Sequence, residues 1–186
     1  MKKISLAMLL ACGTIFASEL AYPNTVKSLY LNPADKSPVG RLLPTAEVKI
    51  LEHSGDFVKI QIQGYVQGDK TQAIYFSKGP RILNAAFKKN SGIKEKVLEK
   101  DGEYSKVSVE AYTTKDGFEK ELKPMMDKAS ALFSENCAMC HALHEVNEYT
   151  ANQWPSVFKS MVDRTAIDKN DRFLVEQYLQ KTTTKK

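Results

Sequence analysis

The sequence is sparing with the residues that usually announce chemistry. Its 186 residues contain three cysteines, three histidines and one tryptophan. There is no second cysteine pair, which argues against a structural zinc site of the common four-ligand kind. No interior apolar run reaches the roughly 18–20 residues needed to cross a bilayer. The charge excess is also small: 27 Lys and Arg against 22 Asp and Glu leave +5. That is too little to read as a nucleic-acid surface. The length allows one ordinary domain or two to three small ones.

The N-terminus does have a recognisable design. Met1-Lys2-Lys3 is basic, Ile4 to Ala17 is almost continuously apolar, and Ala17 and Ser18 are small residues ahead of the polar segment from Glu19. This is the layout of a secretory signal peptide, so cleavage is expected after Ala17 or Ser18, giving an exported, periplasmic protein. Residues 1–18 then leave the mature chain. The alternative, a lipoprotein signal with Cys12 lipidated, is disfavoured by the apolar residues that continue past the cysteine. Cleavage removes Cys12 and two lysines, so 25 basic residues face 22 acidic ones and the mature charge is +3.

Between residues 24 and 118 the pattern is one of alternating short strands and turns. Glu47 to Leu51 and Phe57 to Ile62 flank Ser54-Gly55-Asp56, which predicts a β-hairpin. Val97 to Glu99 and Tyr104 to Val109 flank Asp101-Gly102-Glu103 in the same way. A constant offset of 47 superimposes the two: Leu51 on Leu98, Glu52 on Glu99, Gly55 on Gly102, Lys59 on Lys106, Tyr65 on Tyr112. Such self-similarity predicts two tandem β modules, at 19–71 and 72–118. The stretch Val39-Gly40-Arg41-Leu42-Leu43-Pro44, followed by the hairpin and Gly64-Tyr65-Val66, resembles bacterial SH3-like domains. Modules this small bury little core alone and are expected to pack together.

From Phe118 onward the periodicity becomes helical. Ala129, Leu132 and Phe133 share a face just before the cysteines, and Trp154, Phe158 and Met161 recur at i, i+4 and i+7. Asp168 is placed to cap a last helix with the stripe Leu174, Tyr178 and Leu179. The expected fold is therefore multidomain: two small all-β SH3-like modules, then a small all-α domain over 119–186, which the motif Cys137-Ala138-Met139-Cys140-His141 within it makes cytochrome c-like.

The chemistry concentrates in Cys137-Ala138-Met139-Cys140-His141. Two thiols three positions apart can each form a thioether to one edge of a porphyrin, and the adjacent histidine becomes the proximal iron ligand. A thioredoxin-type dithiol would need a βαβ setting that the surrounding pattern lacks. One covalent haem c is expected.

The second axial ligand is less direct. Met139 lies between the cysteines on the attachment side, and His144 is too close behind His141. Met125 and Met126 lie upstream beside Pro124, and His53 belongs to the first β module. Met161 remains, twenty residues past His141 on the helix that begins at Trp154. An ordinary core methionine is the competing reading. Met161 is favoured because a c-type haem needs the ligand, and methionine would raise the potential relative to a second histidine. Trp154 is expected to wall the haem pocket and so to count among the cofactor-binding residues.

Cys137 to His144, followed by Glu148-Tyr149-Thr150-Ala151-Asn152-Gln153-Trp154-Pro155 and Lys159-Ser160-Met161, resembles the monohaem C-terminal domain of TorC-type pentahaem cytochromes. That resemblance implies an electron-transfer protein, not an enzyme. It would serve a periplasmic molybdopterin-dependent reductase of trimethylamine N-oxide or dimethyl sulfoxide. Only one haem motif stands here, with no four-haem quinol-dehydrogenase portion. An upstream multihaem quinol-dehydrogenase cytochrome is then the expected donor, with no nucleic acid and no direct membrane span involved. The alternatives are a haem-bearing docking or regulatory subunit of a different respiratory enzyme or sensor, and an open iron with peroxidase or ligand-sensing chemistry.

Overall fold

The computed structural model describes residues 19–70, 72–139 and 142–184. The expected signal peptide and Cys12 lie outside the described residues.

The described chain is predominantly β. Ten strands run in sequence: β1 Glu19–Pro23, β2 Lys27–Leu29, β3 Gly40–Leu42, β4 Val48–Ser54, β5 Phe57–Gln67, β6 Ala73–Tyr75, β7 Leu83–Phe87, β8 Glu95–Asp101, β9 Tyr104–Thr114 and β10 Phe118–Glu119. Three α-helices follow: α1 Leu122–Cys137, α2 Trp154–Val162 and α3 Arg172–Thr182. All ten strands belong to one antiparallel sheet, in the order β10-β1-β4-β5-β6-β7-β3-β2, with β9 on the other edge of β5 and β8 beyond it. The sheet curls until Tyr30, just past β2, bridges Tyr112 of β9.

The two predicted hairpins are present and match in detail. β4 and β8 each have seven residues, β5 and β9 eleven, and each pair turns through a glycine in the left-handed region, Gly55 at φ +60° and Gly102 at φ +59°. Even the bulges correspond, between Ile50 and Glu52 and between Val97 and Glu99.

The expected architecture of two SH3-like modules and a separate all-α domain is not what these hairpins build. β5 and β9 pair with each other along their whole length, from Phe57 opposite Thr114 to Gln67 opposite Tyr104. Strict alternation on β5 turns Val58, Ile60, Ile62 and Val66 inward. They join Val107, Val109 and Ala111 of β9, together with Leu29, Leu42, Ile74 and Phe87, in one apolar core. Joining the hairpins covers faces that two modules of this size would leave wet. Gly64 permits the tightest crossing, because a Cβ there would lie 2.4 Å from the Tyr75 carbonyl oxygen of β6.

Nor do the helices stand apart. They share a second core of Met125, Ala129, Phe133, Trp154, Phe158, Leu174, Val175 and Leu179, against which Tyr22 of β1 packs. Polar contacts stitch this layer to the sheet: Gln177 Nε2 donates to the Leu83 carbonyl, the Arg81 amide donates to Asn152 Oδ1, and Lys181 reaches Thr45. The helical layer is thus an appendage of the sheet.

Local signals explain where the helices begin. Pro124 and Pro155 fall in the first turns of α1 and α2, where a missing amide costs no internal bond. Asp168 does not cap α3. Its Oδ1 accepts from the Asn170 amide in a preceding turn, and the helix starts later, after Asp171.

Candidate functional site

The candidate site gathers around the C-terminal end of α1. Ala129, Phe133 and Cys137 repeat at four-residue steps, so they fall on one helical face, and all three are buried. Phe133 meets Trp154 edge to face, 5.8 Å between ring centroids at an interplanar angle of 87°. Cys137, the last residue of α1, belongs to the same core as Trp154, Phe158 and Val162. Burial pushes the Cys137 thiol above its ordinary pKa. A reactive redox cysteine has the opposite shift, produced by nearby positive charge. Cys137 is thus a poor thiolate.

Cys140 and His141 lie outside the described residues. On either side of them the surface is apolar: Met139 is 79% exposed and Leu143 39% exposed. Two thiols, an imidazole and uncovered apolar side chains are the donor set and surroundings that a covalently held haem would fit. Among the described residues no group of three or more His, Cys, Asp or Glu is placed to hold a bare metal ion.

The segment after the motif is ordered by aromatic stacking and hydrogen bonds. The His144 ring packs on Tyr149 at 5.5 Å, and Tyr149 packs on Trp154 at 5.0 Å. Trp154 Nε1 donates to the Val146 carbonyl at 2.9 Å, closing the short 3-10 turn Val146–Glu148 over the indole. His144 Nδ1 lies 2.8 Å from Glu148 Oε2. Asn136 Oδ1 accepts from the Ala166 amide at 3.2 Å, tying the end of α1 to the loop after α2.

The predicted site residues are therefore distributed as follows. Cys137 and Trp154 come together in one core. Met161 is the penultimate residue of α2 and is half-buried, while Phe158 and Val162 beside it are committed to the interior. His144 with Glu148, and the clamp made by Asn136, were not singled out from the sequence. The first pair carries an i, i+4 signal that was available there. The second joins residues thirty apart and carries none.

Known proteins are similar to this chain in sequence. The family described as the TorC third cytochrome c domain matches residues 17–96, a stretch that ends before the C-x-x-C-H motif. The cytochrome c-type protein TorC of Escherichia coli O157:H7 is 29% identical over 178 residues, covering 92% of this chain and 46% of that protein. The cytochrome c-type protein TorY of Haemophilus influenzae is 29% identical over 153 residues, covering 79% of this chain and 42% of its own. The chain is similar to TorC-type cytochromes. It spans about half the length of the curated relatives it matches. No solved structure matches it. No described helix is long and apolar enough to cross a membrane.

Proposed function

We propose that the chain is an exported electron carrier of the Tor type, with one haem c held by Cys137, Cys140 and His141. The observation that carries this reading is the C-x-x-C-H motif at the end of α1, in a chain similar to TorC and TorY over most of its length. A bound haem would supply a one-electron ferric–ferrous couple. The chain's own residues supply the setting. Phe133, Trp154 and Phe158 keep water from the core in which Cys137 sits, and the turn over Trp154 orders the segment Val146–Glu148. Met161 is proposed as the second axial ligand, because its half-buried side chain is not committed to the core.

The electron acceptor we propose is a periplasmic molybdopterin-dependent reductase of N-oxides or S-oxides, and the donor a multihaem quinol-dehydrogenase cytochrome. The residues from 119 onward would carry the redox group. The sheet from 19 to 118 would set the distance and orientation at which partners meet it. The experiment is a partner assay: reduce the haem-loaded protein anaerobically, add the reductase, and supply trimethylamine N-oxide or dimethyl sulfoxide. Oxidation of the haem bands that requires both reductase and oxide supports the relay. No oxidation, with a reductase proven active by an artificial donor, overturns the assigned acceptor.

One observation favours a second reading. The family match falls on the sheet, not on the haem motif, so the sheet itself can be the part that docks an enzyme or a sensor. Binding of the haem-free chain to a partner as tightly as the haem-loaded chain would favour this docking or regulatory role.

A further inference from the structure

The last turn of α3 grips both layers of the molecule at once. Toward the sheet, Lys181 Nζ donates to the Thr45 carbonyl oxygen at 3.0 Å and to its hydroxyl oxygen at 2.9 Å, and lies 4.5 Å from the centre of the Phe76 ring. Toward the segment that follows the C-x-x-C-H motif, Gln180 Nε2 donates to the Ala151 carbonyl, Thr183 Oγ1 to the Tyr149 carbonyl, and the Thr184 amide to Asn147 Oδ1, each at 2.9 Å. The seat on the sheet is itself constrained. Thr45 is a β-branched residue at φ +64°, a conformation that persists only where its surroundings enforce it. Its amide is held by the Pro23 carbonyl at 3.0 Å.

Charged and titratable groups surround this seat on both sides. On the sheet the Glu47 carboxylate, which accepts from the Tyr22 hydroxyl at 3.0 Å, acts directly on Lys181. Beside it opens a cavity of about 300 Å³ whose lining includes Tyr22, Thr45, Glu47, Tyr65, Phe76 and Lys106. On the other side the held segment contains Glu148 and Tyr149, with His144 stacked on Tyr149. A neutral amine has two hydrogens, and Thr45 offers two acceptors. An ammonium has a third hydrogen, and its positive charge faces the Phe76 ring and is drawn to the Glu47 carboxylate beside the cavity.

We propose that Lys181 is a protonation-sensitive latch. Neutral, it seats the last turn of α3 on Thr45 and fixes residues 146–153; protonated, it moves toward Glu47 and the cavity, and that segment shifts with it. Burial of the ammonium, opposed by Glu47, lowers the Lys181 pKa from 10.5 to about 7, so both states are populated near neutral pH. The inference goes beyond the electron-carrier reading and names a group that tunes the surroundings of the motif from the opposite end of α3.

Trp154 is the sole tryptophan of the chain, and its indole N–H is bonded into the responding segment. One indole resonance in the reduced, full-length, haem-loaded protein therefore follows the latch without ambiguity of assignment. The wild type is expected to show a titration of that resonance near pH 7. His144 is linked to Trp154 through Tyr149, so K181M and H144Q are compared. Loss of the titration in K181M with retention in H144Q supports the latch. Its persistence in K181M, or a flat wild-type profile, overturns it. A second variant guards against failure of K181M to fold: E47Q removes the favourable charge and is expected to move the midpoint below that of the wild type. An unchanged midpoint in E47Q also overturns the latch.

Discussion

Ile62 of β5 and Val109 of β9 face each other directly across the sheet, and they are the same position of the 47-residue sequence repeat. Around them the pairing is self-complementary. Phe57 lies opposite Thr114 and Gln67 opposite Tyr104, which is one pairing seen from each hairpin in turn. The repeat is thus assembled about a local two-fold relation that passes between Ile62 and Val109. Both side chains are buried in the core that the hairpins share.

Truncation at this centre should therefore damage both hairpins together. Ile62→Ala is expected to cost about 2–5 kcal/mol, the usual range for emptying a packed aliphatic site. Val109→Ala should cost less, since it removes fewer methyl groups. A directly opposed pair on one face is worth roughly 0.2–1 kcal/mol of coupling. Denaturant unfolding of the single and double variants measures both quantities. A strictly additive double variant would mean that the two hairpins do not stabilise one another at this contact.

How much of this was legible beforehand depended on range. The hairpin turns at Gly55 and Gly102 were readable because alternation and turn residues are local signals. The joining of β5 to β9 was not, because nothing in either strand specifies a partner more than forty residues away. The exposed β8 shows the same limit. Glu95–Asp101 aligns with β4 in sequence, yet every one of its residues is exposed, since it lies outside β9 at the sheet's edge. At the site, the spacing of Cys137, Cys140 and His141 and the helical phase of Trp154 and Phe158 were readable. The clamp from Asn136 to Ala166 and the grip of Lys181 on Thr45 were not, because they depend on which loops the helices bring together.

Trp154 supports the segment behind the motif in two separable ways. It is fully buried, and its Nε1 donates to the Val146 carbonyl at 2.9 Å. Trp154→Phe keeps an aromatic ring against Phe133 but removes the donor and some volume, and is expected to cost about 1–3 kcal/mol. Trp154→Ala should cost about 3–5 kcal/mol. Thermal unfolding of the haem-loaded protein gives both values. Equal losses for the two variants would show that the hydrogen bond, not the ring, supplies the support.

The proposed axial ligand is separable from its nearest rival by spectrum. Met161→Ala should abolish the methionine–iron absorption of the ferric protein, lower its potential and open the iron to carbon monoxide when reduced. Met139→Ala should leave all three unchanged, because that side chain is 79% exposed between the cysteines. An unaltered spectrum in Met161→Ala would remove Met161 from the ligand set.

The latch also makes a thermodynamic prediction whose sign follows from linkage. An unfolded lysine loses its proton near 10.5, whereas burial holds the folded Lys181 at about 7. Between those values the unfolded chain binds more protons than the folded one, so this group's contribution to stability rises with pH through the window. Lys27 adds a smaller effect of the same sign. Its ammonium is buried between Thr114, Asp116 and the Phe118 ring, and burial lowers its pKa against the opposing pull of Asp116. Part of the Lys181 side chain meets solvent, so its share is expected to be about 1–2 kcal/mol and not the full linkage value. The melting temperature of the wild type should therefore climb from pH 7 toward pH 10 more steeply than that of Lys181→Met. Lys27→Met should flatten the profile only slightly. Parallel profiles for the wild type and Lys181→Met would show that the Lys181 ammonium is as well accommodated folded as unfolded, and would remove the driving force for the latch.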